Sequence, residues 1–111
     1  MAQVKYVLLL PLTYNDKSKV PKDVRRRIFD DLYRLANGYT IAGKGRGAYR
    51  MKSGKKQVDW TLQVWVAVEE EDEDALKGMV AGFAELLGQE SMYLERVNST
   101  VEFVPPKAAG G

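Results

Sequence analysis

A chain without cysteine or histidine has few chemistries open to it, and this one, of 111 residues, has neither. Disulfides, thiolate nucleophiles and Cys-type zinc sites are excluded, as are the commonest general base and the commonest metal ligand. Proton transfer would fall to Asp, Glu, Tyr, Lys or Arg, and a metal would have only oxygen ligands. The acidic run 69–74 lacks the glycine-punctuated spacing of a calcium loop and reads as a solvated helix start. No metal, no cofactor and no catalytic residue are assigned.

The candidate general base is Glu90, with Tyr93 nearby. Gln89 and Glu90 fall where a helix hands over to the last strand. A carboxylate and an amide there would hold a ligand, Arg50 or Arg96, or close the loop by hydrogen bonds; loop closure is the favoured reading. A second candidate is the stretch 43–56, with six basic residues and no acid: Lys44, Arg46, Arg50, Lys52, Lys55 and Lys56, with Tyr49 interleaved. Cations would neutralise phosphates and the ring would stack a base. Gly43, Gly45 and Gly47 are not a phosphate loop, because no Gly-Lys-Ser/Thr follows at the required spacing. The plainer reading is a solvated hairpin tip, since the net charge of the chain is only +2.

These residues are positioned by strong periodic signals. In 57–68 the even positions Val58, Trp60, Leu62, Val64, Val66 and Val68 are apolar, while Asp59, Thr61 and Gln63 are polar: a strand with one buried face. Its length, about 40 Å, suits the middle of a sheet. Residues 4–13 are apolar on both faces and read as another central strand. Val24, Ile28, Leu32 and Leu35 recur at helical spacing over 21–36, with Pro21 at the start and Asn37-Gly38 at the end. Leu76, Met79, Val80, Phe83 and Leu87 form a second helical stripe, stopped by Gly88. Strands follow from 39–51, where Gly43, Gly45 and Gly47 signal a bulge or a close backbone approach, and from 91–97.

The predicted class is α+β: a ferredoxin-like α/β plait of order βαββαβ, with a four-stranded antiparallel sheet and two helices on one face. A fifth strand over 100–104 is the alternative. Residues 1–104 form one domain, and 105–111 are a tail without a folding signal. Trp60 and Val64 are expected to pack against Ile28, Leu32, Val80 and Phe83. Trp65, Gln63, Thr61 and Asp59 then face outward, joined by Val7 and Leu9.

An outward apolar patch containing Trp65 calls for a cover. The leading expectation is a small non-enzymatic binding or assembly module that dimerises through this open face, as a homodimer or higher homo-oligomer, with a further protein partner. The second reading is a nucleic-acid-binding plait using 43–56, although the inner strands lack the aromatic-rich signature of RNA-binding plaits. The third is a cofactor-free enzyme whose pocket lies on the sheet face, lined by Trp65 and anchored by Asp59 or Tyr93. The apolar run 4–12 is too short to span a bilayer, is broken by Pro11 and has no cleavage site, so no membrane is expected and the compartment is the cytoplasm.

Overall fold

Apolar residues at i, i+4 and i+8 require a partner surface, and the alternating strands supply one. The computed structural model describes residues 3–107. Its elements are β1 (Gln3–Pro11), α1 (Lys22–Ala36), β2 (Thr40–Arg50), β3 (Lys56–Glu69), a 3-10 turn (Glu70–Asp72), α2 (Glu73–Leu86) and β4 (Leu94–Arg96). The strands make one antiparallel sheet in the order β2-β3-β1-β4, with the two most apolar strands in the middle. Val4, Tyr6, Leu8 and Leu10 of β1 and Val64, Val66 and Val68 of β3 join Ile28, Leu32, Leu76, Val80 and Phe83 in one buried cluster.

Helix ends follow local rules. Asn37 takes the left-handed conformation (φ 60°) and its N–H bonds the Tyr33 carbonyl. At the end of α2, Gly88 (φ 63°) donates to Glu85 O and Gln89 N–H donates to Ala84 O at 2.9 Å. This paired closure fixes where Gln89 and Glu90 leave the helix. One polar cluster crosses the layers: the buried Tyr6 hydroxyl donates to Glu73 Oε1 (2.5 Å), and Arg96 Nε donates to the same oxygen (2.7 Å). Glu73 thereby ties β1, α2 and β4 together, and Arg96, with the Tyr6 hydroxyl second, holds its carboxyl below the ordinary value.

The structure departs from expectation at Trp60, which is 48% exposed rather than packed under the helices. The reason is length. A helix rises about 1.5 Å per residue and a strand about 3.3 Å, so the 15-residue α1 cannot cover the 14-residue β3 from end to end. Trp60 lies beyond the helices, with Lys44 Nζ 5.1 Å from its ring centre. Residues 100–104 do not form a fifth strand; Val101 makes one isolated bridge to Gln3. The fourth strand is also shorter than the expected 91–97. Of the tail expected over 105–111, residues 108–111 lie outside the described residues.

Candidate functional site

The outer face of the sheet is built by register. Gln3, Lys5, Val7, Leu9 and Pro11 of β1 stand opposite Glu69, Ala67, Trp65, Gln63 and Thr61 of β3. On the other side of β3, a bulge between Ile41 and Gly43 shifts the alternation. As a result Gly43, Gly45, Gly47 and Tyr49 stand opposite Gln63, Thr61, Asp59 and Gln57. The three glycines therefore share this face. A Cβ at Gly43 or Gly45 would meet open space, whereas one at Gly47 would lie 2.6 Å from the Tyr49 hydroxyl oxygen. Glycine at 47 lets the Tyr49 ring fold back over its own strand, beside Asp59.

This produces a cleft of about 120 Å³ whose lining includes Tyr49, Arg50, Gln57, Asp59, Thr61, Gln89, Glu90 and Tyr93. Tyr49 comes from β2 and Tyr93 from the segment leading into β4, so the flanking phenols belong to opposite edges of the sheet, with Asp59 and Thr61 on the central β3 between them. Asp59 is only 5% exposed and Thr61 6%. Asp59 Oδ1 accepts from Gln57 Nε2 at 2.9 Å, its one side-chain hydrogen bond among the described residues. Glu90 Oε2 accepts the Lys52 backbone N–H (3.1 Å), linking the β2–β3 turn to the segment after α2. Gln89 Nε2 donates to Asn15 Oδ1 (3.1 Å), and Asn15 Nδ2 donates to Gly88 O (3.1 Å), which closes the floor. The Tyr93 hydroxyl donates to Glu95 Oε1 at 3.0 Å. That bond, the Glu95 charge, burial and the neighbouring Tyr49 push the Tyr93 hydroxyl pKa up, keeping it a donor at neutral pH.

Of the residues singled out from the sequence, Asp59, Gln89, Glu90 and Tyr93 come together in this cleft. Trp65 does not: it lines a separate cavity of about 520 Å³ with Gln3, Lys5, Tyr39, Thr40, Val101 and Phe103. The outer face is thus not bare, since Val7, Asp59 and Thr61 are buried. The basic stretch is divided as well. Lys44, Arg46, Arg50 and Lys56 occupy the register positions of the helix side, while Tyr49 points the other way. Lys52 and Lys55 lie in the turn. Cations and the stacking ring thus sit on opposite faces, against the nucleic-acid reading. Sequence reasoning missed Gln57 and Asn15. Gln57 shares the period-two face with Asp59 and was legible; Asn15 is a loop residue 74 positions from Gln89 and carried no signal.

No family model matches the chain, and no curated protein does. Among solved structures it is similar to a phage SAM lyase in complex with S-methyl-5′-thioadenosine, with a TM-score of 0.65 and 13% identity, covering 93% of this chain and 90% of that one. At that identity the likeness establishes the fold. It nevertheless runs against the expectation of a non-enzymatic module that dimerises through an open sheet face, and that expectation is corrected here. No helix among the described residues is long and apolar enough to cross a membrane.

Proposed function

We propose that this chain binds S-adenosylmethionine in the Asp59 cleft and splits it into S-methyl-5′-thioadenosine and a lactone. The fold is read as a ferredoxin-like α/β plait, a βαββαβ domain ending near residue 104. The observation that carries the reading is Asp59, a nearly buried carboxylate with one side-chain donor, set in a cleft flanked by two tyrosines. The fold it sits on resembles that of a lyase holding this thioether. A cationic substrate selects this cleft over the larger cavity, whose one charged lining residue among those described is Lys5.

The reaction balances within the substrate. An oxygen of the substrate's own carboxylate attacks its γ-carbon, the carbon–sulfur bond breaks, and the bonding pair remains on sulfur. The products are the neutral thioether and a five-membered lactone that keeps its ammonium group. No protein nucleophile, base or water is consumed. A carboxylate and a sulfonium are both discharged in this step, so a site that excludes water favours it over bulk solution.

Charge placement assigns the roles. A carboxylate paired with the sulfonium would stabilise the charge that must disappear, and so would oppose the step. Asp59 therefore pairs with the substrate ammonium, which stays charged throughout and contributes uniform binding. The faces of Tyr49 and Tyr93 meet the sulfonium through the weaker cation–π attraction. The free oxygen of Glu90, whose Oε2 accepts from Lys52 N–H, takes the ribose hydroxyls. The cleft is below the usual ligand-site range of roughly 300–1,000 Å³, so adenosine extends over the side-chain-free strip at Gly43 and Gly45.

The test is incubation of the purified protein with S-adenosylmethionine, followed by chromatography and mass spectrometry. Thioether and lactone should appear in equal amounts and at a rate proportional to protein. A rate no higher than in a protein-free control would sink the assignment.

A further inference from the structure

We propose that the chain carries a second small-molecule site at the other end of β3, which takes a planar heteroaromatic ring bearing an anionic group, as in a nucleoside monophosphate. This inference does not rest on the lyase reading. The cavity there, about 520 Å³, falls within the roughly 300–1,000 Å³ range of ligand sites. Its position follows from a mismatch in strand length. β2 begins at Thr40, opposite Trp65, while β3 continues to Glu69. Leu12 N–H bonds to Trp60 O on the β1 side, so even-numbered residues of β3 direct their backbone groups to β1 and odd-numbered ones to β2. The N–H and C=O of Ala67 therefore point to where β2 would have continued. The chain there turns away through Gly38 and Tyr39, and no backbone partner meets Ala67 among the described residues.

An adjacent donor and acceptor on an open strand edge match the edge of a heteroaromatic ring such as adenine. Flat apolar surface surrounds them: Trp65 and Tyr39 are about two-fifths exposed and Phe103 three-quarters. The Tyr39 ring is held by Phe29, with centroids 4.7 Å apart. Lys5 Nζ lies 3.7 Å from the Trp65 ring centre and is the one charged residue lining the cavity among those described. Glu69, the nearest acid along the strand, is turned to Gln3, whose Nε2 donates to it at 2.9 Å. A cation with no ion-pair partner among the described residues, beside an aromatic face, selects an anion attached to a ring. The two sites lie about 20 Å apart along β3, six residues from Asp59 to Trp65, and their charges select opposite ligands.

The probe is adenosine 5′-monophosphate, compared with adenosine, in a Trp60→Phe background where Trp65 is the remaining tryptophan. The monophosphate should quench Trp65 fluorescence saturably and bind at least tenfold more tightly than adenosine at low salt. Lys5→Gln should abolish that preference, and Asp59→Asn should leave it unchanged. No saturable quenching by the monophosphate up to millimolar concentration overturns the proposal. So does a preference that survives Lys5→Gln or that disappears with Asp59→Asn, since the latter would put the nucleotide in the cleft. Self-association by sedimentation that the monophosphate cannot reverse would mean that a second copy covers the Ala67 edge, and would equally overturn it.

Discussion

The two ends of β3 bury opposite faces. At Val64, Trp65 and Val66 the even positions are buried and the odd one exposed; at Asp59, Trp60 and Thr61 the odd positions are buried and the even one exposed. The side-chain alternation is unbroken through both. What changes is the cover. The helices close the inner face over the Val64 end, and they are too short to reach Trp60. On the outer face the Tyr49 ring, folded over Gly47, closes the Asp59 end instead. A two-residue period therefore reveals which side chains share a face, but not which face is dry. The same strand can supply a core at one end and a polar cleft at the other.

The largest effect that sharpens this contrast is on Asp59. Asp59→Asn keeps the size and one acceptor but removes the charge, so kcat/KM for S-adenosylmethionine should fall about 100-fold, roughly 2.7 kcal/mol at the usual tenfold per 1.36 kcal/mol. Because the ammonium keeps its charge through the step, the loss should lie mainly in KM. A loss confined to kcat would place Asp59 against the reacting atoms instead. Next comes a pair of identical substitutions on one face. Val64→Ala should destabilise by roughly 1–3 kcal/mol, through lost burial plus a cavity. Val58→Ala, on the same face but beyond the helices, should stay below about 1 kcal/mol. Equal losses in denaturant melts would mean that the helical cover extends to the hairpin end.

Much of this was legible from the chain. Period two gave both central strands, and the stripes at Ile28–Leu32 and Val80–Phe83 gave both helices, because these signals report direct burial against one neighbouring layer. Asp59 on the sheet face and Gln89, Glu90 and Tyr93 at the helix–strand junction, two separate candidates in the sequence, line one cleft. What the sequence withheld was which other residues join them. Tyr49 reads as part of a basic stretch; alternation alone turns it away from Lys44 and Arg46, but only the bulge after Ile41 decides that its face is the outer one, shared with Asp59. Trp65 reads as part of the same patch as Asp59, yet the two belong to separate cavities, since a shared face says nothing about distance along a strand. Asn15 could not have been chosen, because its role depends on a loop meeting the end of α2.

A smaller effect tests the Tyr49 cover directly. At Gly47 a new Cβ would press on the Tyr49 hydroxyl and ring, the mobile end of a side chain, so the ring moves and the backbone does not. Gly47→Ala should therefore change stability by less than about 1 kcal/mol, alanine being the better strand residue. It should lower kcat/KM by about three- to tenfold, which corresponds to roughly 0.7–1.4 kcal/mol. Gly45→Ala, which meets open space, is the matched control and should cause a smaller loss. If both variants lose activity equally, the ring position is not what matters.

The subtlest difference between the ends is their response to acid. At the helix-covered end, Arg96 and the Tyr6 hydroxyl both donate to Glu73 Oε1 and favour its ionised form, so its pKa lies below the ordinary 4.5. Between the folded and unfolded pKa values the unfolded chain binds more protons, so stability rises with pH across that window. The contribution is fully present above the unfolded value and is lost as pH falls through the folded one. Glu73→Gln should therefore lower Tm at neutral pH, and the gap from the unaltered protein should close as pH drops below 4.5. At the other end Asp16 is likewise held below its ordinary value, by Ser18, but both of those bonds stay within the loop between β1 and α1. Hydrogen exchange in mild acid should accordingly quicken first at the β1–β4 pairing around Tyr6 and Arg96, with the hairpin around Gly47 and Asp59 unchanged. Simultaneous loss of protection at both ends would show that Glu73 stabilises the molecule as a whole, and the two ends of β3 would then differ in cover but not in how they are held.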